Sequence, residues 1–278
     1  MARRVSLVIV GTAVVLAVLA GCSHVLRGGE TRAAWRNAEE KACMVRHHVD
    51  TGRHIEKAGK KRDRGACGID RALKVSALAD GRTVIGPSAT LNCPMTAALE
   101  IWIQRSVQPA AMAWYGQPVV EVKQMASYAC RTRNNDRGAR LSEHSFGNAL
   151  DIGGFVLADG TTLTVKRDWN GDVNARSFLR EVFAGACETF KTALGPGVRN
   201  HSDHFHLDLA HHNDAGTSRY CRPTPTSKPP RRAPYWPRLL SDRPRIDPVV
   251  TGMVASADGS IPATPVRMYA PVPSWPPQ

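Results

Sequence analysis

Two histidine-centred segments carry the residue types best suited to chemistry. The first reads Ser142-Glu143-His144-Ser145-Phe146-Gly147-Asn148-Ala149-Leu150-Asp151, and the second His201-Ser202-Asp203-His204-Phe205-His206-Leu207-Asp208-Leu209. Five of the ten histidines fall between His201 and His212, and His144 is the only other one after His54. Imidazole and carboxylate groups are the ligands of a borderline divalent ion, and three of them with an open fourth position make a hydrolytic zinc site. His144, Asp151 and one histidine of the second segment form such a set. Residues 204–209 read as a strand, so His204 and His206 project from one face. One of the two binds the ion and the other stands beside it.

The elements that must position these groups follow from pattern and turn chemistry. Asp151 opens a strand, Ile152–Leu157, which turns at Asp159-Gly160 into Leu163–Val165. Ala175–Leu194 is amphipathic, with Phe178, Leu179, Val182, Phe183, Ala186, Cys187, Phe190 and Leu194 on one face and Gly195-Pro196 at its end. Its aromatic stripe is core packing. Earlier, residues 31–48 have helical composition, and Thr51–Arg64 reads as a charged loop. Leu73–Val75 and Val84-Ile85 read as short strands about an Asp80-Gly81 turn. Asn92-Cys93-Pro94 opens a helix with apolar residues at Ala98, Ile101, Trp102 and Val107. Val119–Val122 reads as a further strand, and Met125–Cys130 as its continuation or another. The sum is an α+β class: a small antiparallel sheet carrying the metal site, packed by helices.

The two ends have a different character. Arg3 and Arg4 precede an apolar run, Val5–Ala20, that closes on Leu19-Ala20-Gly21-Cys22. A basic head, an apolar core and small residues before a cleavage point describe an export signal, and the run is short beside the about 20 residues of a spanning helix. Leu-Ala-Gly-Cys resembles the bacterial lipobox, which implies lipidation of Cys22. Ser23 in the next position resembles the outer-membrane default of enteric lipoproteins, so the expected location is the cell envelope, at the outer membrane facing the periplasm. Beyond Cys221, residues 222–278 hold 14 of the 19 prolines and read as an extended, disordered tail. The expected organisation is a signal peptide over 1–22, a helical segment and linker over 23–66, a domain over 67–221 and the tail over 222–278.

Without Cys22 the chain keeps Cys43, Cys67, Cys93, Cys130, Cys187 and Cys221, an even number that in an exported protein implies disulfides. Cys187 lies on the apolar helix face and Cys221 ends the domain just after the histidine strand, so these two are expected to pair. The formal net charge is +13, yet residues 76–221 hold 14 basic and 14 acidic side chains. The excess therefore lies in the flanks. Basic arms on a neutral core suit an anionic membrane surface or cell-wall polymer, or simply keep linkers solvated. A neutral core argues against a nucleic-acid groove.

Ser-x-His, a following Gly, an Asp seven residues after the His and a later His-x-His resemble the zinc D-Ala-D-Ala peptidase and murein endopeptidase superfamily, to which the lysostaphin-type enzymes also belong. The segment Gly138–Asp151 resembles more closely the extensin-like C-terminal domain family of bacterial exported proteins, and the likeness extends from about Cys67 to Cys221. The resemblance implies His144, Asp151 and His206 as ligands of one zinc ion and His204 as the histidine beside the metal. It implies His201 as a further active-site histidine. It also implies an upstream arginine for a substrate carboxylate, with Arg131 expected and Arg133 as the alternative. The expected function is a lipid-anchored zinc hydrolase of peptidoglycan peptides, a carboxypeptidase or endopeptidase. The rival is a non-catalytic wall-binding lipoprotein that keeps the metal-site fold.

Overall fold

A computed structural model describes residues 31–228 and 230–232. The export segment, Cys22 and the tail from residue 233 onward lie outside the described residues. The chain begins with helix α1 (Ala34–Val45), then strands β1 (Ile55–Arg62), β2 (Gly68–Leu78) and β3 (Thr83–Leu91). Next come helices α2 (Cys93–Trp102) and α3 (Gln108–Tyr115), joined through a π turn at Ile103–Val107. Asn92 caps α2 by accepting from the Met95 amide. Pro109 cannot donate a helical hydrogen bond, so the widened turn just before it lets one helical path continue.

Strands β4 (Val119–Ala126), β5 (Ala149–Leu157) and β6 (Thr162–Thr164) follow, and then helix α4 (Val173–Thr189). Strands β7 (Thr192–Leu194), β8 (Phe205–Asp208) and β9 (Tyr220–Arg222) complete the order. The nine strands form one sheet, ordered β1-β2-β3-β4-β5-β8-β7-β9 with β6 also on β5. The α+β class stands as expected. The sheet is larger than expected and mixed, because β3 runs parallel to β4 and β7 parallel to β9. Parallel neighbours need a crossover, and α2 with α3 supplies it between β3 and β4.

Helices α2, α3 and α4 bury their apolar faces against the sheet. Trp102, Phe155, Phe178, Phe183, Phe190 and Phe205 are among the largest fully buried side chains. Trp102 also donates to the Val182 carbonyl at 3.0 Å, which satisfies its indole N–H inside the core.

Three local expectations change. Residues 55–62, expected in a loop, form edge strand β1, of which only the first residue is even partly covered. A strand that is wet on both faces leaves no alternation to read, and lysines on an edge also discourage pairing with other chains. The helix expected to reach Leu194 stops at Thr189. Phe190 turns extended, and residues 192–194 pair with β8 and β9. Phe190 and Leu194 keep a helical spacing, so periodicity alone could not place that end. The first residues of the segment expected as a tail, 222–228 and 230–232, are among those described. The described chain runs to Arg232, whose guanidinium grips Glu181 of α4 at 2.6 and 3.0 Å.

Disulfides join Cys43 to Cys93, Cys67 to Cys130 and Cys187 to Cys221. The third is the expected pair and ties α4 to β9. The first two, with the β1–β2 ladder, bind residues 34–66 into the same unit, so the segment expected as a linker is structural.

Candidate metal centre

The segment before β5 is a 3-10 turn, Glu143–Phe146, capped by Ser142, whose hydroxyl accepts from the His144 amide at 3.4 Å. Gly147 ends the turn at φ 59°, and a Cβ there would collide with the Ile69 side chain. Only glycine meets both demands at low cost. The turn is held from three sides. Ser145 Oγ donates to the Arg131 carbonyl at 2.8 Å and accepts from the Arg131 amide at 3.1 Å. Asn148 donates to Glu143 at 2.7 Å. Arg36 of α1 donates to both Glu143 oxygens at 2.6 Å, with its guanidinium 3.7 Å from the Phe146 ring centroid.

Strand pairing delivers the second segment. β8 runs antiparallel to β5 with Asp151 directly opposite His206. Cross-strand partners present neighbouring side chains on one face, so sheet register alone brings two of the three expected ligands together. His144 arrives from the capped turn. Its Nε2 lies 3.1 Å from Asp151 Oδ1 and 3.2 Å from His206 Nδ1, and His206 Nδ1 lies 2.8 Å from Asp151 Oδ1. These three residues form a group able to hold a metal ion.

The outer ring nitrogens show what the inner ones can do. His144 Nδ1 sits 2.6 Å from the Ser127 carbonyl, which can only accept, so that nitrogen carries the proton. His144 Nε2 then offers a lone pair inward. His206 Nε2 donates to Asp208 at 2.9 Å, and Asp208 in turn accepts from the Ala210 amide at 2.9 Å. A carboxylate behind a histidine is the usual support of a metal ligand. Burial opposes ionisation of Asp151 and Asp208, but their histidine partners outweigh it and hold both carboxyls below the usual carboxylate range. The ionised Asp151 carboxylate and the inner ring nitrogens of His144 and His206 therefore converge on one point. The zinc–ligand lengths of a tetrahedral site place neighbouring donors about 3.3 Å apart, close to these spacings. The donor set fits zinc.

The metal-free site has its own electrostatics. Burial disfavours the His206 cation, yet Asp151 and Asp208 on either side raise its pKa to about 10 from an ordinary 6.5. Because the folded value is the higher one, this proton stabilises the metal-free fold fully below the unfolded pKa. The contribution is lost as pH rises through about 10. A metal must displace the Nδ1 proton, so apparent affinity should rise with pH, by up to about tenfold per unit for one proton. Calorimetric zinc titrations at neutral pH, in buffers of different ionisation heat, count the protons released. We expect about one per ion. Zero would remove His206 from the ligand set.

Around the three donors lies an open cavity of ≈ 700 Å³ lined by Arg131, Arg133, Arg199, His201 and His204 among others. His204 Nε2 is 3.9 Å from Asp151 Oδ1, outside the donor triangle, and its Nδ1 pairs with Asp203 at 2.8 Å. The His201 ring lies 5.1 Å from that of His204 and 5.8 Å from that of His206, between centroids. Its pKa is lowered, chiefly by burial. Arg131 reaches to 3.8 Å from Asp151 Oδ2, nearer than Arg133, for which no such contact exists among the described residues. Asp151, His201, His204, His206 and both arginines thus line one cavity, with His144 fully buried behind its wall.

Sequence reasoning missed Asp208, Asp203, Ser127 and the Arg36–Glu143 pair. Asp208 could have been found, since the period of two that aligns His204 with His206 continues to it. The Ser127 carbonyl and Arg36 carry no such signal, because only the folded chain brings them near.

No curated protein and no solved structure matches the chain. A family model described as extensin-like protein C-terminus matches residues 41–222, from within α1 to the end of β9 and including both histidine segments. The match covers well over half of the sequence, and the chain belongs to the extensin-like C-terminal family.

Proposed function

We propose that this chain is a lipid-anchored zinc-dependent hydrolase of peptidoglycan peptides, of the carboxypeptidase or endopeptidase type. One observation carries the reading: His144 Nε2, His206 Nδ1 and Asp151 Oδ1 converge within 3.2 Å, with the outer nitrogen of each imidazole directed away to a fixed acceptor. The likeness of Ser142–Asp151 and His204-Phe205-His206 to the zinc D-Ala-D-Ala peptidases supports the same conclusion. Zinc held there supplies a Lewis acid for a carbonyl oxygen and acidifies water.

The chain's own groups do the rest. Asp203 accepts from His204 Nδ1, which leaves Nε2 facing the cavity to take up and return a proton. His201, with Nδ1 held by the Arg199 carbonyl at 2.7 Å, presents its other nitrogen to the same space. Burial favours its neutral form, which can accept a proton or a hydrogen bond. Arg131 offers a charged donor to a substrate carboxylate beside the donor triangle.

Purified wall fragments incubated with the zinc-loaded protein and analysed by mass test this reading. New cleavage products are expected. Retention of fragments without cleavage would instead support a non-catalytic wall-binding lipoprotein. Anchoring and export rest on the segment ending at Cys22, and the location proposed is the outer membrane facing the periplasm. Cys22→Ser should move the protein from the membrane fraction to the soluble fraction, and unchanged fractionation would count against the anchor.

A further inference from the structure

The cavity beside the donor triangle does not end there. A second cavity of ≈ 480 Å³ adjoins it, lined by Trp35, Arg36, Arg140 and Phe146 among others, and the two share Arg133 and Glu143. Between them stands a short hairpin. The Arg133 amide donates to the Arg140 carbonyl and the Ser142 amide to the Arg131 carbonyl, each at 3.0 Å, with a bridge between Thr132 and Leu141. Cys130, bonded to Cys67, fixes its base. The hairpin carries Arg131, Arg133, Arg137 and Arg140 against a single acid, Asp136, although the charges of residues 76–221 balance as a whole.

The acids and bases facing these cavities are unequally engaged. The lining carboxylates are Glu143, Asp151 and Asp208. Glu143 is held by Arg36, Asp208 by His206, and Asp151 belongs to the donor triangle. Arg133 and Arg140 are exposed, and neither side chain has a hydrogen-bond or ion-pair partner among the described residues. Two unpaired guanidinium groups beside neutralised carboxylates make a local field that favours an anion.

We propose that Arg133 and Arg140 form a second subsite, which takes a free carboxylate of the substrate away from the bond at the metal. The substrate class is then a peptide with an unblocked side-chain carboxylate, long enough to cross both cavities. This rests on the hydrolase reading for the nature of the ligand, but its test does not need turnover. Two wall-type peptides of one sequence serve as probes, with side-chain carboxylates either free or amidated, titrated into the full-length protein by calorimetry.

The free-carboxylate peptide should bind about tenfold tighter, as charge-assisted contacts at a half-open site allow. Added salt should shrink that margin. Arg133→Gln with Arg140→Gln should abolish the preference and leave both the amidated peptide's affinity and the melting temperature unchanged. His206→Ala should keep the preference, because the subsite does not need the metal. Equal affinity for the two peptides, binding of neither, or a preference that survives the double substitution each overturns the proposal. Preferential binding without cleavage would sink the hydrolase reading and leave the subsite standing.

Discussion

His206→Ala should empty the metal site, whereas His204→Ala should leave it filled and stop turnover. The two histidines stand two residues apart in one short segment, so sequence chemistry treats them alike. The structure separates them. His206 Nδ1 lies 2.8 and 3.2 Å from the other two donor atoms, while His204 Nε2 stays 3.9 Å from Asp151 Oδ1 and leans on Asp203 instead. Removing a ligand removes the bond between the two segments, so zinc content should fall to near zero and stability with it. Removing His204 takes away a proton carrier, and cleavage of wall fragments should slow by on the order of 10²–10⁴. Elemental analysis of both variants decides the matter. If His204→Ala loses the metal while His206→Ala retains it, the two roles are exchanged, and if neither loses it the site lies elsewhere. Asp208→Asn offers a finer check, since support of this kind is worth about 10–100-fold in metal affinity.

The legible part of this molecule was the part written in local chemistry. His144 and Asp151 announce themselves because both sit in one short segment with a capping serine before and a turn glycine between. Period two placed His204 and His206 on one strand face; β8 begins only at Phe205, so His204 lies just before it, yet both histidines line the same cavity. The amphipathic run around Phe183 is helix α4, and the Asn92 cap opens α2. What stayed hidden depends on long-range pairing. β1 is a strand only because β2 offers it a ladder, and nothing in Glu56–Arg62 alternates. β7 broke from α4 because β8 and β9 take its backbone groups, a competition no window of sequence contains. The partners of the ligands were hidden for the same reason. Arg36 and Glu143 are 107 residues apart and meet at 2.6 Å.

That last pair sets the size of the folding unit. Arg36→Ala should destabilise the protein by about 3–5 kcal/mol, the usual cost of leaving one charge of a buried pair without its partner. Both side chains are largely buried, at 10% and 5% exposure, and among the described residues Asn148 is the further side-chain partner of Glu143. For a domain of this size the loss corresponds to a fall in Tm of about 6–20 °C. Arg36→Lys should recover only part of it, because an ammonium cannot make the paired contacts of a guanidinium or lie flat on Phe146. Glu143→Ala and the double variant complete a cycle whose coupling energy isolates the pair. The effect should extend to the metal, since Glu143 directly precedes His144 and fixes the turn that aims it, so zinc affinity should weaken in Arg36→Ala while the ligands remain intact. The same argument applies to the matched range of 41–222, which starts after Arg36. A chain begun at Lys41 keeps all three donors yet loses Trp35 and Arg36 from beside Phe146. It should therefore melt lower and bind zinc more weakly than the chain that retains α1 whole. Equal melting and equal zinc affinity for the two would show that α1 merely covers the site and does not brace it.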